Sequence, residues 1–160
     1  MSELLDHLGR DTLPRPMIED FVRWCINEQA RPALATVLKH AGFIQQAADV
    51  HTARSLQAMA AACVQAGRSI KQVRAETTQP PLAISAAEAA VFEFTNLMRA
   101  AADNELDAES LAFFSARLVG WAGWAAVNFA DSDHKASAEA NARHTQETQL
   151  RTLWQQYAAN

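Results

Sequence analysis

Apolar side chains recur every three or four residues along most of this chain, which is the spacing of one face of an α-helix. An early example is the run that contains Ile18, Phe21 and Cys25 and follows Pro16. Proline suits the first turn of a helix, because an N–H group at that position would have no partner inside the helix. The pattern therefore predicts a helix over residues 16–30.

Prolines, glycines and capping residues divide the rest of this half of the chain. Pro32 disfavours helical backbone at the residue before it, so we expect a break there and a new helix that ends before Gly42. Three more helical segments are predicted, each bounded by a capping residue or a glycine: Ser2 to Gly9, Asp49 to Gly67, and a brief turn after Ser69.

A proline-rich loop near residues 77–84 separates two helical halves of what we interpret as one domain, residues 1–160. After it, Ser85 and Glu88 match a capping box, in which each side chain satisfies the other residue's free backbone amide. The box predicts the start of a helix that turns Phe94 inward.

The stretch from Asp107, a predicted N-cap, to about Ala130 is apolar on nearly every side. Such a helix is either the centre of a bundle or a membrane span. Arg117 and Asn128 interrupt it, so we interpret it as a buried central helix in water. A final helix is predicted over 135–157, polar at first and packed only by its last turns.

Composition supports an all-helical chain. Alanine, the best helix former, supplies 34 of 160 residues, whereas glycine and proline supply only 5 each. The predicted fold is all-α, a single-domain bundle of about six to eight helices around the apolar helix at about 107–130.

Charge and cysteine usage narrow the partners and the compartment. The 14 basic and 18 acidic residues give a net charge of −4, which provides no general field for nucleic acid or for an anionic membrane. Cys25 and Cys63 both lie on apolar stripes, where we expect reduced, buried thiols. The first residues do not resemble a secretory signal, so the sequence predicts a cytoplasmic protein.

Familiar catalytic and ligand-binding motifs are missing from the sequence. It contains no GxxxxGK[ST], GxGxxG, GxSxG or HExxH pattern, and none of its 5 histidines follows a glutamate in a Glu-x-x-His pair. We therefore assign no catalytic residue, no metal ligand and no cofactor. Whether the chain is an enzyme stays open, with a non-catalytic protein favoured.

Two tryptophans mark the first candidate site. Trp121 and Trp124 lie one helical turn apart, with Gly120 and Gly123 leaving space beside them. The resulting groove could admit a small molecule or flat cofactor, with Arg117 to hold an anionic group. The structural alternative is that the glycines let a neighbouring helix approach closely.

Arg117 is the single charged residue of the central apolar stretch. Its structural alternative is an arginine whose stem packs along the helix. Its head would then reach solvent, pair with Glu88 or Glu93, or lie over Trp121.

An acidic stretch forms the second candidate site. It consists of Asp103, Glu105, Asp107 and Glu109 and contains no basic residue. It could attract a basic protein partner such as a cationic toxin. The alternative is a solvated turn that caps the following helix.

The second half of the chain resembles a known family. Ala116-Arg117 with Gly120, the alternating alanines of residues 136–142 and the segment 147–153 resemble alanine-rich, all-helical immunity proteins of bacterial polymorphic toxin systems. The resemblance implies a non-enzymatic protein that neutralises a toxin by binding it, with no catalytic residues to carry over.

Two functional hypotheses follow. The first is a non-catalytic intracellular protein-binding protein, an immunity or adaptor protein, that uses an interface such as the acidic stretch. The alternative is a helical bundle that binds a small molecule or cofactor in the groove beside Trp121 and Trp124. A homodimer is compatible with four tryptophans in an alanine-rich bundle.

Overall fold

The computed structural model describes residues 13–78, 81–103, 107–127 and 132–159. All regular structure in these ranges is helical and forms six helices, which confirms the all-α bundle. The helix predicted after Ser2 lies outside the described residues, as do Glu105 and residues 128–130 of the predicted central helix. The helices are α1 (residues 15–40), α2 (Ile44–Thr52), α3 (Leu56–Ala75), α4 (Leu82–Ala102), α5 (Ala108–Val127) and α6 (Ser132–Ala158).

The first helix does not break at Pro32, so that prediction was wrong. It consists of Arg15–Cys25, a π-helical turn Ile26–Ala30 and Arg31–His40 in continuous succession. In the π turn the Arg31 N–H donates to the carbonyl of Ile26, five residues back, and Arg31 keeps helical angles (φ −60°, ψ −51°). The wider turn accommodates the proline ring without ending the helix.

The side chain of Arg31 compensates for the proline. Pro32 brings no N–H to the helix, which leaves a carbonyl of the preceding turn without a partner. The Arg31 Nη2 donates to the Asn27 carbonyl at 3.2 Å, and Nη1 donates to the Ala53 carbonyl at 2.9 Å. The Arg31 guanidinium therefore satisfies a free carbonyl of α1 and also binds α1 to the link between α2 and α3.

The boundaries predicted for the next helices were also wrong. Instead of one helix from Asp49 to Gly67, Asp49 lies inside α2, which ends at Thr52. Helix α3 begins after Ser55, whose Oγ accepts from the Ala58 amide at 3.1 Å. Helix α3 runs through Gly67, where an added Cβ would lie 3.4 Å from the Val91 side chain. That glycine lies inside the helix, beside α4, and not at a helix end.

The predicted capping box does not begin α4. The helix starts one turn earlier, at Leu82, with Pro81 in the N-cap position. Because Ser85 lies inside the first turn, its hydroxyl is not a cap, and Glu88 instead pairs with Arg74 of α3. Glu88 therefore takes part in an ion pair between two helices and not in a capping box.

The core draws heavily on two helices, α1 and α5. Leu34, Val37 and Leu38 of α1 are completely buried, and this part of α1 contacts α2, α4 and α5. Helix α5 buries Leu111 and Trp121 in the same core, but its outer face carries Phe113, which is 61% exposed. Within the described ranges, no helix combines the length and hydropathy needed to cross a membrane.

Helix α6 docks over more of its length than its last turns. It packs mainly along α5, and Gln146, near its middle, is 1% exposed. Further on, the Tyr157 hydroxyl donates to Asp20 Oδ2 of α1 at 2.9 Å, which raises the pKa of that phenol. Helices α1, α5 and α6 therefore form a three-helix unit.

Candidate functional site

A groove of about 630 Å³ lies where α1, α5 and α6 meet. Small side chains from all three helices form its floor. We call it the alanine groove, and these floor residues are Ala33, Ala122, Ala125 and Ala142. The width of the helix backbones keeps the three axes apart, and alanine side chains are too short to fill the space that is left between them.

The wall of the alanine groove carries one aromatic and one acidic side chain from the same helix. Trp24 is half-buried and stacks on Phe21, with ring centroids 5.9 Å apart and planes at 20°. Glu28 follows four residues later, one turn along α1, and is exposed at the rim. Among the described residues nothing neutralises the Glu28 carboxylate, so the groove combines an apolar wall with a negative edge.

A buried polar network supports the floor of the groove. Gln29, which lines the groove, donates from Nε2 to the Ala142 carbonyl at 3.1 Å. Gln146 donates from Nε2 to Gln29 Oε1 at 2.6 Å and to the Ser115 carbonyl at 3.1 Å. These bonds connect α1, α5 and α6 and fix their relative register.

The network is not fully satisfied. Gln146 Oε1 and Ser115 Oγ are buried without a hydrogen-bond partner. A buried oxygen without a partner costs stability unless an ordered water satisfies it. The π turn of α1 contributes Glu28 and Gln29 to this side, and π turns often occur at functional sites.

The structure does not form an open groove at Trp121. This side chain is 8% exposed, its Nε1 donates to Glu93 Oε2 at 2.6 Å, and its ring lies 6.4 Å from that of Phe94. Arg117 also bonds Glu93, with Nε 3.0 Å from Oε2, which confirms one of the pairings expected for it. The space left between α4 and α5 here is about 10 Å³, room for about one water.

Trp124 lies on another side of α5, facing α6. The Lys135 ammonium sits 4.0 Å from the centroid of its ring. A Cβ on Gly123 would come within 2.6 Å of Glu139 Cγ, so α6 occupies the notch as the structural alternative expected. Gly120 has nothing within 4 Å of an added Cβ. The structure therefore does not bring Arg117, Trp121 and Trp124 together around one cavity.

The acidic stretch acts in part as a helix cap. Asp107 Oδ1 accepts from the Ser110 amide at 2.7 Å, as its N-cap role predicts, and this bond lowers the pKa of the carboxyl. Asp103 ends α4, and Glu109 lies in the first turn of α5; both are exposed. Glu105 lies outside the described residues, and attraction of a basic partner stays a prediction.

Groups suited to covalent or metal chemistry are sparse in the described part of the chain. Cys25 and Cys63 are free and buried, as predicted, and burial raises the pKa of both thiols, that of Cys63 to about 12. Both are therefore protonated and poorly nucleophilic. No group of three His, Cys, Asp or Glu side chains in the described ranges is placed to hold a metal ion.

Sequence reasoning missed the alanine groove. In the sequence, Trp24 only adds to the apolar stripe of the helix predicted over residues 16–30, and the floor alanines look like any other alanines. No family model, curated protein or solved structure matches this chain.

Proposed function

We propose that this chain is a non-catalytic helical protein-binding protein whose partner inserts apolar side chains into the alanine groove. The observation that carries the proposal is the unfilled groove of about 630 Å³ at the junction of three helices. Partner binding there would bury the Trp24 wall and the alanine floor together.

The arrangement has the anatomy of a protein interface. Interfaces place aromatic and aliphatic groups at the centre and polar groups at the rim. Here Trp24 and the alanines form the centre, whereas Glu28 and Thr145 lie at the edge. The uncompensated charge of Glu28 favours a partner with a basic side chain near its apolar anchor.

The biological role that we propose is that of an immunity or adaptor protein inside a bacterial cell. Support comes from the sequence resemblance and from the negative net charge of −4, which suits a cationic toxin. The groove would supply the anchor and the exposed acids Asp103 and Glu109 would supply long-range attraction.

Site-specific photocrosslinking tests this proposal. A benzophenone amino acid replaces Thr145, which is exposed at the groove, or Gln72, which is exposed on α3. We expect a discrete crosslinked protein in the native host from position 145 and not from position 72. Equal products from both positions, or none from 145, would refute a groove-bound partner.

A groove-filling variant identifies the contact surface. Ala125→Trp should remove the crosslink at position 145 because the indole occupies the floor, whereas Ala61→Trp, on the exposed face of α3, should preserve it. Retention of the crosslink in Ala125→Trp would place the partner elsewhere.

A second candidate function is binding of a small apolar molecule in the same groove. The volume of about 630 Å³ lies within the range of about 300–1,000 Å³ typical of ligand pockets. Native mass spectrometry of protein from its host distinguishes the two, since a bound molecule adds mass to each chain and Ala125→Trp should remove it.

A further inference from the structure

A second, smaller cavity lies on the other side of the π turn, between α1 and the start of α3. Its volume is about 160 Å³, below the range of drug-sized ligands. Two of its lining side chains are arginines and none is acidic; the lining consists of Arg23, Ile26, Asn27, Arg54, Ser55 and Leu56.

The positive charge around this cavity is only partly compensated. Arg23 Nη1 contacts Asp20 Oδ1 at 3.1 Å, but a guanidinium carries five N–H donors and this contact engages one nitrogen. Asp20 also accepts from the Tyr157 hydroxyl. Arg54 is exposed, and no described residue neutralises it.

A third arginine fixes the backbone beside the cavity. The Arg31 guanidinium donates to the Ala53 carbonyl, immediately before Arg54, and so holds the α2–α3 link against α1. Two cationic side chains therefore line the cavity, and a third holds the backbone beside it. Planar guanidinium groups pair most strongly with carboxylate and phosphate oxygens, often through two parallel bonds.

Backbone donors add to the arginines. Ser55 Oγ accepts a hydrogen bond from the Ala58 amide. The amides of Leu56 and Gln57, in the first turn of α3, have no acceptor within that helix. The N-terminus of α3, a helix of 20 residues, also carries the partial positive charge of the helix dipole. It therefore attracts the same negatively charged groups as the arginines.

We propose that this cavity binds a phosphate group, held by Arg23 and Arg54. Its size fits a single phosphoryl group, free or at the end of a small monoester, rather than a whole cofactor. The site is independent of the proposed protein-binding function: the π turn gives Ile26 and Asn27 to this cavity and Glu28 and Gln29 to the alanine groove.

Amide chemical-shift mapping of the full chain tests the proposal. Inorganic phosphate is titrated in place of chloride at constant ionic strength, which removes general screening effects. We expect saturable shifts at the Leu56 and Gln57 amides and at the side-chain Nε–H groups of Arg23 and Arg54. Absence of saturation, or shifts spread over all basic residues, would overturn the site.

Arginine variants make the test specific. Arg54→Ala should weaken phosphate binding at least about tenfold, the loss expected for a charged hydrogen bond, whereas Arg54→Lys should retain part of it. Arg68→Ala, an exposed arginine farther along α3, is the matched control and should change the affinity less than about twofold. Equal losses in Arg54→Ala and Arg68→Ala would show nonspecific attraction and reject the cavity.

The source of the phosphate group is resolved by a second titration. Glycerol phosphate that binds as tightly as inorganic phosphate, with the same dependence on Arg54, would assign the site to a monoester. Binding of inorganic phosphate alone would assign it to the free anion. Helical circular dichroism of each variant confirms that a lost affinity reflects the site and not the fold.

Discussion

Two sides of α5 each lie near a tryptophan, Trp121 of α5 itself and Trp24 of α1, and the two surroundings are opposite in design. On the α4 side, Trp121 is buried, bonds Glu93 and leaves about 10 Å³ of space. On the α1 side, Trp24 faces the alanine groove, which leaves about 630 Å³. We call these the closed side and the open side.

The contrast arises from the size of the residues that meet. On the closed side, Phe94, Leu97, Phe114 and Leu118 fill the space around Trp121. On the open side, Ala122 and Ala125 of α5 face other alanines across the groove. A tryptophan is therefore not by itself the mark of a binding site, because its neighbours decide whether space remains beside it.

Replacement of the two tryptophans by alanine should give the largest difference in the free energy of unfolding between the closed and the open side. Trp121→Ala removes a buried ring and the donor to Glu93, and should lower the free energy of unfolding by about 3–5 kcal/mol. Trp24→Ala, at a half-buried ring, should cost about 1–2 kcal/mol. Urea denaturation measures both. Equal losses would break the distinction between the two sides.

The polar network beneath the open side should give the next largest effect. Gln146→Leu leaves Gln29 Oε1 and the Ser115 carbonyl without their donor and should cost about 2–3 kcal/mol. Gln155→Leu, at an exposed position of α6, should change stability by less than about 0.5 kcal/mol. A neutral Gln146→Leu would show that this network does not support the groove floor.

Added volume should be tolerated on the open side only. Ala90→Leu inserts a larger side chain where the residue is completely buried and should cost about 1–3 kcal/mol. Ala125→Leu extends into the groove and should change stability by less than about 0.5 kcal/mol. A large loss in Ala125→Leu, measured by thermal unfolding, would mean that the groove is already filled in solution.

The two glycines of α5 should respond differently to alanine. Gly120→Ala meets nothing within 4 Å and should gain about 1 kcal/mol from helix propensity. Gly123→Ala forces the Glu139 side chain, and Lys135 with it, to move, so we expect that gain to be lost. Equal stabilisation by both variants in urea denaturation would show that α6 does not approach α5 as closely as the structure places it.

The acidic stretch at the start of α5 should show the smallest effect. Asp107→Ala removes the cap on Ser110 and should cost about 0.5–1 kcal/mol at neutral pH. Because the folded state lowers the pKa of this carboxyl, its contribution is present at neutral pH and is lost as the pH falls through the folded pKa. The variant and the native chain should therefore converge in strong acid in urea titrations, and a constant difference would argue against a charged cap.

Much of the helical architecture could be predicted from the sequence. Alanine content and apolar spacing gave the all-α class, and Asp107 marked the start of α5 because a cap depends on residues three apart. The break at Pro32 was wrong because a π turn and the Arg31 side chain absorbed the missing donor. The end at Gly67 was wrong because α3 continues through that glycine to Ala75, with Val91 of α4 beside it.

The candidate site was much less predictable. The pairing of Arg117 with Glu93 was among the expected alternatives, because both carry charge on apolar helices. Trp124 and Gly123 drew attention through their local pattern, yet α6 covers them. No pattern in the sequence indicated the alanine groove, because the sequence does not distinguish an alanine that lines a cavity from one that faces water.

The sequence by itself determined that the chain is helical and that Asp107 caps α5, since periodicity and capping act over about four or five residues. Only the tertiary structure decided which apolar faces close and which stay open. The bond between Gln29 and the Ala142 carbonyl joins residues 113 positions apart. The space above it depends on how far three helix axes are held from one another, a distance that no local pattern specifies.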